Sequence, residues 1–437
     1  MKIQFEHFTK IMKVHEKRIL MMVVLLTVLL RFFYVYHAYL YEGKTKWADD
    51  WEYLYFGEQI AQGIWDSAWP GRLQFMQVGP ALPMIIAASI KYFGDPVWPV
   101  FIYNILITSL IIWVLFCLGK LVFNRKVGWL LVFWGIFYVD FFRFNCRLLK
   151  EPTDYFFLTL TIYFLVKSIK GRQLIINMII SAFSFTWLIH ADERYVIYIP
   201  IFMFAYLMIK PFNFKDILRY SFSWIIIVII LCTPWMIHNY RLFNEIVIIS
   251  PRTTAFTSKL WGSNLNYKKY FNEIPKNIRL EQQYYKGMKN GKQYGLFPYT
   301  YGPIERYYRA FVNFWQPTYF APTYIQRGYH FIKWSPRHNL MGLLFYGNFL
   351  PFYIWGVFWL MRKKHWFGMF IAFIPIIHGF AHTIMLRPLE RYRSPVVFCV
   401  VLIGSWVVVE LYNKFLISIK NRNESDYAIK EMSVNYE

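Results

Sequence analysis

The chain is poor in charge, in acidic residues above all, and in cysteine. Asp, Glu, Lys and Arg make up 17% of its 437 residues, against about a quarter in soluble domains, while 57% are hydrophobic and 22% aromatic. Apolar runs of membrane length recur along the sequence, which excludes a soluble globular domain and indicates an all-α polytopic membrane protein. The four cysteines, Cys117, Cys146, Cys232 and Cys399, fall in or at the ends of apolar runs, and none forms a metal-type pair. A disulfide framework and a Cys-built metal site are therefore not expected. There is no internal repeat, no low-complexity linker and no appended soluble domain. The first apolar run has a basic front end (Lys2, Lys10, Lys13, Lys17, Arg18) and no small-residue cleavage site after it, so a retained signal-anchor is expected rather than a removed signal peptide.

About ten stretches are apolar enough to be spans: Ile19–Leu40, Val97–Val122, Gly128–Phe142, Tyr155–Val166, Leu174–Ile189, Val196–Ile209, Ser221–Ile237, Leu340–Met361, Phe367–Met385 and Pro395–Leu416. Basic residues in short loops mark the cytoplasmic side. They cluster at the N-terminus, at Lys120/Arg125/Lys126, at Lys167/Lys170/Arg172, at Lys210/Lys215/Arg219, at Arg362/Lys363/Lys364 and from Lys414 on. The outer loops are then Tyr41–Pro96, Asn145–Thr153, His190–Arg194, Asn239–Asn339 and Arg387–Ser394. This parity holds only if the apolar segment Leu73–Phe93 does not cross, and its Gly79, Pro80 and Pro83 disfavour a regular crossing helix. It is expected to lie in the membrane interface, with both termini cytoplasmic. The chain divides accordingly into an N-terminal transmembrane catalytic module over 1–238 with interfacial helices at about 47–94, an extracytoplasmic loop or cap over 239–339, C-terminal transmembrane helices over 340–417 and a tail over 418–437.

The formal net charge of +23 exceeds what the topology signal needs. Part of the excess lies in the long outer loop, with Arg252, Lys268, Lys269, Lys276, Arg279, Lys286, Lys289 and Lys292. It reads either as the solvated face of a folded cap or as an attraction for anionic lipid or glycan phosphates. Nucleic acid is not a partner for a loop on that side.

The remaining polar residues gather at the outer mouths of the spans, where ionisable groups default to functional candidates. The stretch Trp47 to Gly63 follows the first span and opens with adjacent carboxylates, Asp49 and Asp50. At 100° per residue, Tyr53, Phe56, Ile60 and Ile64 share one face, which predicts a short amphipathic helix lying in the interface. Arg147 and Glu151 occupy the second outer loop, and His190-Ala-Asp-Glu-Arg194, with Asp192 and Glu193, makes the third. Pro234 to Tyr240, with His238, opens the long loop, Arg241 follows, and Arg387 to Pro395, with Arg391, Tyr392 and Arg393, precedes the last span. Each has a plainer reading. Asp49 with Glu52 fits a helix-capping arrangement, and Arg147 with Glu151 fits a surface i,i+4 ion pair. The 192–194 cluster fits interfacial solvation, Arg391 and Arg393 fit snorkelling anchors, and His238 fits an interfacial histidine that does not titrate.

The order of these pieces resembles the polyprenyl-phosphate-dependent glycosyltransferases of the GT-C type. Most similar is the branch of protein O-mannosyltransferases and lipid A aminoarabinose transferases. Members carry Asp-Glu-x-x-Tyr after the first span and a Gly further on, matched by Asp49 to Tyr53 and Gly63 with Asp50 in place of the Glu. They carry Arg-Leu-x-x-Glu-Pro, matched by Arg147 to Pro152. They carry Pro-Trp-x-x-Arg-Asn-Tyr, matched by Pro234 to Tyr240 with His238 in place of the Arg. They close with Arg-Tyr-Arg-x-Pro, matched by Arg391 to Pro395. The resemblance implies a GT-C-like helix bundle and an inverting transfer of sugar from a polyprenyl phosphate, with Asp49 as general base and Asp50 and Glu151 beside it. Arg391 and Arg393, with His238 or Arg241, would hold the donor phosphate. Arg147, Tyr53, Tyr392, Asp192 and Glu193 would contact substrate. Mg²⁺ or Mn²⁺, held by Asp49 and Glu151, is left open by the residues, since some relatives use a metal and others do not. The expected partners are a lipid-linked sugar donor, membrane lipids and a glycolipid, polysaccharide or protein acceptor, at the outer face of a prokaryotic cell membrane. A transporter or flippase of lipid-linked sugars would need mid-membrane charges and repeat symmetry. A non-catalytic relative serving as an assembly partner would not need Asp49.

Overall fold

The structure, a computed structural model, describes residues 15–42, 48–65, 79–170, 173–208, 214–243, 246–249, 308, 311–312, 314–315, 336–384 and 393–434. Every described regular element is helical. In chain order they are α1 (Glu16–Glu42), α2 (Ala48–Ala61), α3 (Ala81–Phe93), α4 (Trp98–Val122), α5 (Arg125–Phe137), α6 (Val139–Asn145), α7 (Glu151–Lys170), α8 (Leu174–Ala191), α9 (Ile199–Ala205), α10 (Phe214–Phe243), α11 (Pro336–Phe345), α12 (Leu350–Arg362), α13 (Trp366–Ile384) and α14 (Val397–Val434).

Seven of the described helical segments are long and apolar enough to cross a membrane, and α5 with α6, bent by 44°, makes an eighth. The chain is thus a multi-pass, all-α membrane protein, with fewer clear spans than the ten expected. The other two stretches exist in different form. Tyr155–Val166 lies in α7, a helix of 20 residues whose ends carry Glu151, Asp154, Lys167 and Lys170; at 1.5 Å per residue it is about 30 Å long. Val196–Ile209 is broken into a 3₁₀ turn, the seven-residue α9 and a second 3₁₀ turn. Its Pro200 takes the second position of α9, where a missing N–H costs nothing.

The bundle is built from neighbours in sequence: α4 packs on α5, α7 on α8, and α12 and α13 on α14, while α1 covers α4 and α10 covers α8. The last span is central. Val397 to Val407 is an unbroken buried run on α14, whereas α1 turns Met21, Met22, Leu25, Leu26 and Phe33 outward. In a lipid solvent that outward face needs no protein partner.

On this bundle sit two short helices. α3 has thirteen residues, about 20 Å, against a hydrocarbon core of about 30 Å. By itself it is shorter than a span, and residues 73–78 of the segment Leu73–Phe93 lie outside the described residues. α2 packs along α3, and α3 reaches α4 and α8. Tyr53, Phe56 and Ile60 are buried on one face of α2, as the 3.6-residue period predicts. Ile64 departs from that expectation, since it follows the helix end and is exposed. The stop is made by Gly63, whose φ of 83° is left-handed; the Gly63 N–H donates to Ile60 O and the Ile64 N–H to Gln59 O, both at 2.9 Å. This is the paired closure for which glycine is the favoured residue. Helices run through the divisions drawn at 238/239, 339/340 and 417/418, which fall inside α10, α11 and α14. The basic residues of the long loop, Arg252 to Lys292, lie outside the described residues.

Candidate functional site

Asp49 and Asp50 occupy the first turn of α2, where the helix dipole favours anions. That places Asp49 inside the helix rather than at its cap; its side chain lies outside the described residues. Asp50 is fully buried, with a carboxylate oxygen 4.0 Å from Arg147 Nη1. The first-loop and second-loop motifs therefore meet in space. Arg147 belongs to the turn between α6 and α7, and that turn is pinned by α4: Asn104 Nδ2 donates to Arg147 O at 3.1 Å and Thr108 Oγ1 to Asn145 Oδ1 at 3.1 Å. Arg147 turns towards α2, so it is not simply a surface partner for Glu151. Glu151 opens α7 and is buried, as are Glu52 and Tyr53 on α2.

The loop at 192–194 joins the turn that carries Arg147 and Lys150. Lys150 Nζ lies 2.7 Å from Asp192 Oδ2, and Arg194 grips the same carboxylate, its Nε at 2.8 Å from Oδ1 and its Nη2 on Oδ2. Asp192 also accepts the Arg194 backbone N–H at 3.1 Å, capping the 3₁₀ turn that Glu193 begins. Burial resists ionisation of Asp192, but Arg194 and Lys150 outweigh it and hold the carboxyl well below the usual carboxylate range. Both Asp192 and Glu193 are buried, so this cluster is a built ionic knot and not a solvated loop.

Arg393 is buried at the start of the last span. Its Nη1 donates to Phe314 O at 3.0 Å, and its guanidinium lies 4.0 Å from the Tyr346 ring centroid. Buried and stacked, it is not a snorkelling anchor. Its neighbour Ser394 donates to Asp140 Oδ2 of α6 at 2.6 Å, and Tyr138 OH donates to the same oxygen at 2.8 Å. The 3₁₀ turn Ser394–Val396 packs against α7, the helix that Glu151 opens. Arg391 and Tyr392 lie outside the described residues.

The Pro234–Tyr240 segment ends α10. The His238 ring lies over Trp235, 4.9 Å between centroids, and 6.2 Å from Trp65 of the first outer loop. Trp235 Nε1 donates to Ile249 O at 2.7 Å, and Asn239 Nδ2 donates to Val247 O and Ile249 O at 3.0 and 3.1 Å. Tryptophan and asparagine thus clamp the departing chain back on the helix. Arg241 is exposed and makes no described contact with the other candidates.

Asp50 and Arg147 thus join the first two motifs, the turn after Arg393 packs on α7, and His238 meets Trp65; comparison with known proteins bears on the fold. The family described as "Dolichyl-phosphate-mannose-protein mannosyltransferase" matches residues 77–238, a range that includes Arg147–Pro152 and ends at His238. The archaeal oligosaccharyltransferase AglB from Archaeoglobus fulgidus, in complex with an inhibitory peptide and a dolichol-phosphate, superposes with a TM-score of 0.57 at 11% identity, over 94% of this chain and 52% of that one. The chain has a GT-C-like fold. The A. fulgidus oligosaccharyltransferase tethered to an acceptor peptide gives 0.56 at 11% identity, over 92% and 51%. The complex of that enzyme with Zn and sulfate gives 0.53 at 12%, over 90% and 49%. The chain spans about half the length of these solved structures. No curated protein sequence matches it.

The GT-C-like bundle also buries ionisable residues that motif reading passed over. They are Arg31 in α1, Asp140 in α6, Asp154 in α7, and His378 with His382 in α13. His378 Nδ1 lies 2.7 Å from Tyr198 OH, and the two histidine rings are 4.5 Å apart. The available signal was a lone ionisable residue inside an apolar run, which is costly in a membrane unless it is enclosed by protein. Among the described residues, no group of three or more His, Cys, Asp and Glu side chains is arranged to hold a metal.

Proposed function

We propose that the chain is an integral membrane glycosyltransferase that moves a sugar from a polyprenyl-phosphate donor to a glycolipid, polysaccharide or protein acceptor on the extracytoplasmic side. The observation that carries this reading is the contact of Asp50 with Arg147. It joins the carboxylate-bearing helix of the first outer loop to a segment inside the mannosyltransferase family match. A helix held by its apolar face, with carboxylates in its first turn, presents a base at the membrane surface, where a lipid-linked donor's head group lies.

The chemistry asks little of the protein. The acceptor hydroxyl gives its proton to Asp49, its oxygen attacks the anomeric carbon, and the bond to the phosphate oxygen breaks with inversion. Polyprenyl phosphate is a stable anion on leaving, so one carboxylate is enough and no general acid is required. Asp50, buried against Arg147, fixes the turn that carries Asp49, and Glu151 orients the acceptor or the base. Arg393, with Arg391, supplies positive charge where the leaving phosphate gains negative charge. Phosphate binding by His238 and Arg241, and substrate contacts from Tyr53, Tyr392, Asp192 and Glu193, belong to the same proposal. Were Mg²⁺ or Mn²⁺ used, Asp49 and Glu151 would hold it, and it would add positive charge at the phosphate.

The test is transfer of radiolabelled sugar from polyprenyl-phosphate donors in membranes holding the wild type or Asp49→Asn. A loss of about 10²–10⁴-fold, with protein level and donor binding kept, is the expected result for a missing general base. Wild-type transfer by the variant would remove Asp49 from the mechanism.

A further inference from the structure

One charged residue lies well inside the first span, Arg31. It is completely buried near the middle of α1, where the rest of the helix faces lipid or apolar protein. A guanidinium at that depth is expensive unless the protein satisfies it. Its partners all belong to or face the bent span. Arg31 Nη2 donates to Gly135 O at 2.8 Å, and Nη1 donates to Ser109 Oγ of α4 at 3.3 Å. Its guanidinium carbon lies 5.0 and 5.6 Å from the ring centroids of Phe141 and Phe142 in α6.

Those contacts sit on either side of the break. The span bends by 44° between α5 and α6 because Tyr138 takes an extended ψ of 114°. Gly135 is among the last four residues of α5, whose carbonyls have no partner within the helix. In hydrocarbon such a carbonyl must be satisfied by the protein. Arg31 satisfies it with one arm and lies along the α6 rings with the rest, and a planar guanidinium suits both tasks. Lysine would offer a point charge and a single arm.

Beyond the bend, α6 leads to both ends of the proposed site. Its Asp140 takes the hydroxyl of Ser394, next to Arg393. The helix then runs into the turn that carries Arg147 to Asp50. We propose that Arg31 is a positioning residue, a membrane-buried pin that sets the bend of the α5–α6 span and so holds Arg147 and Arg393 in one site. The catalytic consequence rests on the proposed function; the pinning does not.

The test uses Cys146, the half-buried thiol at the end of α6, in full-length protein whose other cysteines are replaced by alanine. Arg31→Met leaves the Gly135 carbonyl bare and is expected to speed maleimide labelling of Cys146 about tenfold, as a local opening worth about 1.4 kcal/mol would. Arg31→Lys should fall between wild type and Arg31→Met. With a polyprenyl-phosphate donor, Arg31→Met should raise the donor KM more than it lowers kcat, and Arg31→Lys should recover most of the difference. A general loss of folded protein would lower kcat alone. Should Arg31→Met fail to accumulate, Ser109→Ala, which removes one acceptor and keeps the charge, is expected to speed labelling about twofold by the same relation. Wild-type labelling in folded Arg31→Met, or in Ser109→Ala where that variant decides, overturns the proposal. Absence of transfer by the wild type, with labelling shifted as expected, would count against the glycosyltransferase reading and leave the pin standing.

Discussion

Asp192 is a buried carboxylate with Lys150 and Arg194 both on it. Removing one partner of a buried ion pair costs about 3–5 kcal/mol, because the charges left behind remain desolvated. Asp192→Asn is therefore expected to lower the melting temperature of detergent-solubilised protein strongly, and a change within error would show the knot to be dispensable. Its pH dependence has a definite sign. Folding depresses the Asp192 pKa, so its stabilisation is complete above about pH 4, the unfolded value. It is lost as pH falls from there through the depressed folded value. Asp192→Asn should lack that acid-side loss, and parallel wild-type and variant curves below pH 4 would contradict it.

Two element-level devices shape the outer face. The first is the close approach of α2 to α3. A β-carbon on Gly57 would meet Ile86 Cγ2 at 2.3 Å and Pro83 O at 3.3 Å, so only glycine allows this spacing. Overpacking of this kind costs about 1–3 kcal/mol. G57A should destabilise by that amount, and Ile86→Ala in the same chain should restore part of it; absence of rescue would place the strain elsewhere. The second is the clamp at the end of α10. Asn239→Ala deletes two of the three described hydrogen bonds that hold the 246–249 segment, leaving Val247 O without its donor at about 1–3 kcal/mol while Trp235 keeps Ile249 O. Limited proteolysis at 246–249 should accelerate while Tyr240→Phe, whose side chain is exposed, should not change it. Equal rates for both variants would refute the clamp.

For the whole molecule, the decisive quantity is the parity of crossings, and it turns on α3. If α3 lies in the interface, residues before and after it face the same compartment. Ile64→Cys and Lys91→Cys, both at exposed positions, should therefore react alike with a membrane-impermeant maleimide from outside the cell. Labelling of one and protection of the other would make α3 a span, invert the later loops and detach the basic clusters from the cytoplasmic side. Equal labelling of the two is also the outcome expected if Arg147, Asp192 and Arg393 share one side of the membrane, a condition for any single active site built from them.

The sequence by itself determined what depends on composition and local period. Runs of apolar residues decide that the chain lives in a membrane and is helical there, since lipid leaves the backbone no other partner. The period of Tyr53, Phe56 and Ile60 decides the buried face of α2. Motif order was enough to anticipate a GT-C-like bundle. Only the tertiary structure decided which polar groups meet. Asp140 and Ser394 stand 254 positions apart, and Arg31 reaches Gly135 across 104; no local pattern records such pairs. Trp235 and Asn239 are members of a motif in the sequence, and only their contacts with residues 247 and 249 make them a clamp. A side chain's partners depend on which helices pack together and at what rotation, and that is set by the fit of whole faces rather than by any one stretch.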